Sequence, residues 1–107
     1  NLFMRIMLSG GKIPDETERI LPEEIINLFT SRVTGVPYVS PYGLGFIAGC
    51  PGTKMKNCFG HTGTTGTMAF GDKDTKIAYA LLSNHAYPYK ANQRIMNFTY
   101  TLPDLIM

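Results

Sequence analysis

The sequence is short of several features that define large classes of protein. It has no Trp, only two Cys and two His among its 107 residues, and a formal net charge of just +2. The Lys and Arg residues are scattered, so neither nucleic acid nor a membrane surface is indicated as a partner. No apolar run approaches the length that spans a bilayer, and the opening segment NLFMRIMLSGGK does not have the pattern of a signal peptide.

The few Cys and His residues limit metal chemistry. A structural zinc site needs four ligands, and the two histidines lie in different segments, so we expect no metal and no cofactor. Cys50 and Cys58 could close a loop between adjacent strands, or could stay unpaired as small apolar side chains. We favour the unpaired alternative. Cysteine usage leaves the cellular compartment open.

Length and composition fit one domain at most. A hydrophobic fraction of 44% argues against disorder. The chain opens as if already inside a helix and has no initiating Met, so we expect a segment of a longer domain.

Two helices are predicted in the first third of the chain. Residues 2 to 8 are typical of the end of a helix, which Gly10-Gly11 stops. A second helix begins at LPEE, where Pro22 suits the first helical position and the two glutamates suit the helix dipole. It should end at Thr34-Gly35 and bury one apolar stripe: Ile25, Ile26, Leu28 and Phe29.

Strand patterns follow from Tyr42 onward. YGLGFIAG alternates in a period of two, which places Tyr42, Leu44, Phe46 and Ala48 on one face. Short strands are predicted at about 57–63 and 65–70, and GDKD at 71–74 is a turn. Residues 77–82 are apolar on both faces, which predicts a strand covered on both sides.

A last helix is predicted to start at Pro88, and Pro103 should end or kink it. The order is helix, helix, three or four consecutive strands, helix. Tight turns between the strands favour antiparallel pairing. The predicted fold class is therefore α+β, with an antiparallel sheet flanked by helices.

One match to a catalytic pattern is interpreted as coincidental. Ser9 and Lys12 fit the Ser-x-x-Lys pattern of penicillin-interacting serine hydrolases. That pattern works when Ser opens a helix and Lys lies one turn later on the same face. Here two glycines follow Ser9 at a helix exit, which gives neither arrangement.

The order of three later segments resembles the serine β-lactamase-like family, which includes class C β-lactamases, penicillin-binding proteins, and related esterases and peptidases. These segments are YGLGF, then FGHTGTTGT, then an apolar strand ending in LLSN. LFMRIMLSGGK and ILPEEIINLFTS look like the helices that precede this part, so the resemblance covers nearly the whole chain. It implies that residues 1–107 are the C-terminal segment of a single β-lactamase-like domain, with a partial fold of that family.

The resemblance also implies a site. The family carries K-T-G on an inner strand that lines the active-site cleft, and His61-Thr62-Gly63 corresponds to it, with His in place of Lys. The Thr64 N–H would then be the oxyanion-hole donor. Gly63 would let substrate lie against the strand, while His61 and Thr62 would orient a substrate carboxylate or carbonyl.

The exchange of Lys for His bears on the substrate. An imidazole is neutral or charged near pH 7 and binds a carboxylate less reliably than Lys. Small ester, amide or peptide substrates are therefore expected ahead of β-lactams. The competing interpretation of the H-T-G segment is a strand end whose glycine merely permits a tight neighbour.

The nucleophile and base of the family are missing from these residues. The sequence has no Ser-x-x-Lys of workable geometry and no Tyr-x-Asn or Ser-x-Asn, so this segment alone should not turn over substrate. Two functions follow. In the first, the chain is part of an esterase- or peptidase-type hydrolase that forms an acyl-enzyme, with its Ser supplied by an N-terminal remainder of the domain or by a companion chain. In the second, it is a non-catalytic scaffold or assembly subunit.

Overall fold

A computed structural model describes residues 2–35, 41–52, 54–84 and 93–106. Within these ranges the chain forms three helices and four strands. They are α1 (Leu2–Leu8), α2 (Glu23–Thr30), β1 (Ile47–Ala48), β2 (Cys58–Thr62), β3 (Met68–Asp72), β4 (Ala78–Leu81) and α3 (Gln93–Ile106). The strands form one sheet in the order β1-β2-β3-β4, and every neighbouring pair is antiparallel. The predicted α+β class with an antiparallel sheet is confirmed.

Two apolar clusters cover the two faces of the sheet. Phe59 of β2 is 0% exposed and packs on one face against α1 and α2, with Met4, Met7, Leu8 and Ile26. Phe70 of β3 is 1% exposed and lies in the cluster on the other face, with Met55, Cys58, Met68 and Tyr79, against which Leu102 of α3 packs. The sheet is therefore the middle layer between helices.

Gly71 lets α1 approach the sheet closely. It is the cross-strand partner of Phe59 in the β2–β3 ladder. A Cβ at this position would lie 3.0 Å from the Met4 side chain and 3.2 Å from that of Leu8. The bare backbone of Gly71 therefore makes room for the buried face of α1 beside the Phe59 ring.

The first helix ends as the paired glycines predict. The Gly11 N–H donates to the Ile6 carbonyl over 2.9 Å and the Gly10 N–H to the Met7 carbonyl over 3.3 Å. Both glycines have positive φ, and this pair of bonds is the Schellman arrangement. Ser9 thus follows the last turn of α1, and Lys12 lies in a bridge with Arg19, so the two are not on one helix.

The second helix is shorter than predicted, and its predicted buried stripe is wrong except at Ile26. It ends at Thr30, because Ser31 is extended, with φ −99° and ψ 151°. Ile26 and Thr30, one turn apart, are the residues of α2 that are buried, while three members of the predicted stripe are 40–56% exposed: Ile25, Leu28 and Phe29. An amphipathic period identifies an apolar face, but the face is buried only where another element covers it.

The predicted strand over 42–48 is mostly a tight turn. Only Ile47–Ala48 pairs with β2, and Tyr42 bridges back to Ile47. The turn closes through the Gly43 N–H, which donates to the Phe46 carbonyl over 2.8 Å, and Gly45 has φ +99°. The glycines that left one face of the predicted strand bare instead turn the chain back on itself.

The later strands differ from their predicted bounds or burial. The strand predicted at 57–63 is observed as β2, Cys58–Thr62. The strand predicted at 65–70 is observed as β3, Met68–Asp72. The GDKD turn starts later than predicted, because Asp72 still belongs to β3. The prediction that 77–82 is covered on both faces is wrong: β4 is an edge strand in which Tyr79 alone is buried.

The last helix runs through Pro103 to Ile106 instead of ending there. Pro103 is buried, and Asp104 accepts hydrogen bonds from the Lys54 N–H over 2.8 Å and, through its carbonyl, from Lys54 Nζ over 2.7 Å. These contacts hold the final turn of α3 against the loop that contains Lys54. The predicted helix start at Pro88, and most of the predicted loop at 35–41, lie outside the described residues.

Cys50 and Cys58 form a disulfide, so the favoured unpaired alternative is wrong. The sheet register explains the pairing. Ala48 and Phe59 are cross-strand partners, so Cys50, which follows β1, and Cys58, which begins β2, lie at the same end of this strand pair. Their Cα atoms are 5.4 Å apart, within the usual range for a disulfide. Spacing alone could not decide this, because the pairing depends on strand register.

We expect the disulfide to stabilise the chain measurably. Closing so short a loop reduces the entropy of the unfolded chain and should contribute about 2–3 kcal/mol. A Cys50→Ala/Cys58→Ala variant should lower the free energy of unfolding in urea by about this amount. The parent chain in reductant is the control and should match the variant. Equal stability of the parent with and without reductant would contradict the disulfide.

The turn between β3 and β4 is organised by a buried carboxylate. Asp72 is 1% exposed; its Oδ2 accepts from the Thr75 N–H at 2.9 Å and the Thr75 hydroxyl at 2.8 Å, and its Oδ1 accepts from the Asn57 N–H at 3.1 Å. Burial by itself raises the pKa of Asp72, but the hydrogen bonds from Thr75, Asn57 and Asp74 outweigh it and lower the pKa below its ordinary value. The ionised form is therefore the one that the fold stabilises.

An Asp72→Asn variant tests this carboxylate. The amide has one acceptor oxygen and one donor nitrogen, so either the two Thr75 donors or the Asn57 N–H lose their acceptor, which should cost about 1–3 kcal/mol. Since the folded-state pKa is lowered, the contribution is present above the unfolded-state pKa of about 4 and is lost as the pH falls below it. Urea unfolding at several pH values measures both effects. If the variant matched the parent at neutral pH, the carboxylate would not organise the turn.

Candidate functional site

The H-T-G segment lies where β2 ends and turns into β3. The Gly63 N–H donates to the Thr67 carbonyl over 2.7 Å, and the Gly66 N–H donates to the Gly63 carbonyl over 3.0 Å. Gly66 has φ +82°, which a residue after such a turn often adopts. Thr64 is thus the first of the two central turn residues, and the four residues from His61 to Thr64 are all exposed.

The edge of β2 opens on one side at this point. The pairing of β1 with β2 stops at the Ile47–Gly60 partners, while β3 stays paired with β2 as far as Thr62. Across the described ranges, no group accepts a hydrogen bond from the Thr64 N–H. An exposed backbone donor without a protein partner is what a ligand oxygen needs.

His61 has a defined tautomer. Its Nδ1 lies 2.7 Å from the Thr62 carbonyl oxygen. A carbonyl can only accept, so Nδ1 carries the proton and, in the neutral ring, Nε2 has the lone pair. The ring also lies 6.2 Å from that of Tyr42, centroid to centroid. Neutral His61 therefore presents a hydrogen-bond acceptor, or a base, at Nε2.

Thr62 lines a cleft of about 350 Å³ on the face of the sheet that α3 covers. Ile47, Met68 and Phe70 form an apolar wall of this cleft, and Arg32 contributes a cation. The Nε of Arg32 donates to the Ala48 carbonyl over 2.9 Å, which fixes the guanidinium beside β1. The cleft thus combines a hydroxyl, a charged donor and apolar surface, as small-molecule sites do.

The side chains of His61 and Thr62 leave the strand on opposite faces, because successive strand residues alternate. Thr62 lines the cleft, whereas His61 does not, and Gly63 and Thr64 lie in the turn beyond it. A ligand that touches both side chains must therefore lie across the open edge of β2.

Gly63 also has a packing reason to be glycine. A Cβ there would collide with the Thr67 hydroxyl across the turn. A side chain at position 63 would force the Thr67 hydroxyl to move, so glycine suits this hairpin even with no ligand present. The glycine alone therefore does not distinguish a binding edge from a tight turn.

Sequence reasoning missed the other residues that line the cleft. Arg32 comes just after α2, and Thr99 and Tyr100 lie on α3, far from the H-T-G segment in the sequence. No motif or spacing connects them to it. Only the packing of α3 over the sheet brings them together.

Neither a membrane-spanning helix nor a metal-binding cluster is found in the part of the chain that the structure describes. None of its helices has both the length and the apolar character needed to cross a membrane. Within the same residues, no three His, Cys, Asp or Glu side chains are grouped so that they could hold a metal ion.

Helices on both faces of an antiparallel sheet, with H-T-G at the open end of an inner strand, are consistent with part of a β-lactamase-like domain of the serine hydrolase type. A family model described as Beta-lactamase matches residues 3–97. The chain therefore belongs to the Beta-lactamase family. No curated protein and no solved structure shows a significant match to it.

The His61 tautomer gives a direct spectroscopic prediction. In ¹⁵N NMR spectra of the neutral ring, Nδ1 should show the shift of a protonated nitrogen and Nε2 that of an unprotonated one, because Nδ1 donates to the Thr62 carbonyl. Free histidine in the same buffer is the reference. A spectrum in which Nε2 carries the proton would contradict this geometry.

Proposed function

We propose that this chain is the C-terminal part of a serine hydrolase of esterase or peptidase type, to which it contributes one wall of the active site. The observation that carries the proposal is the exposed Thr64 N–H, which has no hydrogen-bond partner among the described residues and directly follows H-T-G, the segment that resembles the family's K-T-G. The Ser nucleophile and its base would come from the N-terminal remainder of the domain or from a companion chain.

The proposed reaction needs a hydrogen-bond donor for an oxyanion, and the open end of β2 offers one. The Ser oxygen would add to the carbonyl carbon of an ester, amide or peptide, and the carbonyl oxygen would become an oxyanion. The Thr64 N–H would donate to that oxygen, which stabilises the transition state more than the substrate. Loss of the alcohol or amine gives an acyl-enzyme, and water then releases the acid.

His61 and Thr62 would orient the substrate from the two faces of the β2 edge. The lone pair on Nε2 of neutral His61 suits a substrate N–H or a proton transfer better than it suits a carboxylate. Thr62 would place its hydroxyl at the cleft, whose apolar wall suits the body of a small substrate.

The exposed apolar side chains of α2 support a partner surface. Ile25, Leu28 and Phe29 are 41%, 56% and 40% exposed, and all three belong to one short helix. Apolar side chains grouped in this way commonly mark an interface. The remainder of the domain, or a companion chain, would cover them and bring the nucleophile to the open edge of β2.

A matched pair of substitutions isolates the Thr64 N–H in the intact parent protein. Thr64→Pro removes the donor at a turn position where Pro is favoured, and Thr64→Ala keeps it. Loss of one oxyanion donor should slow acylation by a fluorophosphonate or hydrolysis of an ester by about 10²–10³-fold in the Pro variant. The Ala variant should stay within about threefold of the parent, since its backbone donor is unchanged.

Mass spectrometry of the labelled parent completes the test. The proposal requires the label on a serine outside residues 1–107. Equal rates for the two Thr64 variants would exclude the oxyanion role. Complete lack of labelling, in a protein that folds and retains the family's fold, would favour the non-catalytic scaffold instead.

A further inference from the structure

A second cleft, of about 320 Å³, lies at the other end of β2 from His61. It is bounded by the end of α2 and by the residues that lead into β2. Three of its lining side chains are basic and three others carry neutral polar groups: Arg32, Lys56, Lys73, Thr30, Ser31 and Asn57. None of the residues that line it is acidic.

The positive charge of this cleft is not neutralised by ion pairs. Among the described residues, one ion pair has its nitrogen and oxygen within 4.0 Å of each other. It joins Arg5 to Asp15 and includes no residue of this cleft. Two acids lie at the edge of the cleft through Asn57: Asp72 accepts from its N–H at 3.1 Å, and Asp74 accepts from its side-chain amide at 2.9 Å. Among the described residues, neither acid forms an ion pair with Arg32, Lys56 or Lys73, so three cations face two carboxylates that are bonded to other groups.

Lys73 is partly buried and is also influenced by Lys76, a cation that does not line the cleft. Burial lowers its pKa first, and the charge of Lys76 lowers it further, while Asp74 acts in the opposite direction and does not compensate. Its ammonium also lies 5.9 Å from the centre of the Phe59 ring. An anion beside this ammonium would favour its charged form.

The three cations come from separate parts of the fold, and the Arg32 side chain is held in place by a hydrogen bond. Arg32 is anchored by its bond to the Ala48 carbonyl, and Lys73 begins the turn after β3, where its N–H donates to the Asn57 carbonyl over 3.0 Å. Lys56 lies in the loop that the Cys50–Cys58 disulfide closes. Such anchoring reduces the entropy lost when an anion is bound.

We propose that this cleft binds a doubly charged oxyanion of phosphate type, either free phosphate or the phosphate group of a small molecule. The Thr30 hydroxyl and the Asn57 amide already donate to the Ile26 carbonyl and to Asp74. Three cations and the Ser31 hydroxyl still exceed what a single carboxylate would use, and suit an anion with several acceptor oxygens. The site shares Arg32 with the cleft that Thr62 lines, whereas Lys56 and Lys73 belong to this second cleft and do not line the first.

Titration of the ¹⁵N-labelled chain with inorganic phosphate, followed by amide NMR, tests the proposal. Saturable shifts are expected at the N–H groups of Gly49, Asn57 and Lys73. Lys56→Gln and Lys73→Gln should each weaken binding about tenfold, as expected for loss of one charge-assisted contact. Lys12→Gln removes the same charge from an exposed position outside the cleft and should change binding less than twofold.

Two further ligands define the specificity. Glycerol phosphate tests a phosphate group on a small molecule: tighter binding than inorganic phosphate assigns the site to such molecules, and equal binding assigns it to the free ion. Acetate at the same ionic strength should not saturate the site. The proposal would be overturned if acetate bound as tightly as phosphate, if Lys12→Gln weakened binding as much as Lys56→Gln, or if no shift were saturable. The cations would then be ordinary hydrated surface charges.

Discussion

The pairing of β2 with β3 is the interaction on which the rest of the structure depends. Its register runs from Cys58–Asp72 to Thr62–Met68 and gives each face of the sheet one buried phenylalanine. Phe59 anchors α1 and α2, and Phe70 anchors the cluster that α3 covers. A shift by one residue would exchange the two faces and would separate both clusters from their helices.

The same hairpin positions the Asp72 hydrogen bonds and the disulfide at one end and the candidate site at the other. At the start of β2, the carboxylate of Asp72 binds the Asn57 N–H, and the disulfide ties Cys58 to the chain that follows β1. At the far end, β1 stops short and the turn leaves the Thr64 N–H exposed. A rigid middle with open ends suits a site that must present backbone groups in a fixed geometry.

The fold class and the order of elements could be predicted from the sequence, because apolar period and turn residues are local signals. The α1 stop at Gly10-Gly11 is such a case. The predictions that were wrong depended on contacts between residues that are distant in the sequence. Whether Leu28 is buried depends on what packs against α2, and whether Cys50 finds Cys58 depends on register. Pro103 remains helical because neighbouring contacts hold the final turn of α3.

The candidate site shows the same division between local signals and distant contacts. The H-T-G segment was recognisable from its order relative to YGLGF and LLSN, and family membership is established by the match over 3–97. Arg32 and Tyr100 were not recognisable, because they reach the cleft only through the packing of α2 and α3. Roles inside a cleft belong to the tertiary structure, and a single sequence carries little signal for them.

The most direct measurement is a crystal structure of the intact parent protein carrying a phosphonate on its reactive serine. The central claim is that the open end of β2 receives the developing oxyanion. It predicts a phosphonyl oxygen about 2.7–3.1 Å from the Thr64 nitrogen, with the alkyl part against the cleft that Thr62 lines. An adduct whose oxygen binds other donors, with the His61–Thr64 segment remote from it, would contradict the account.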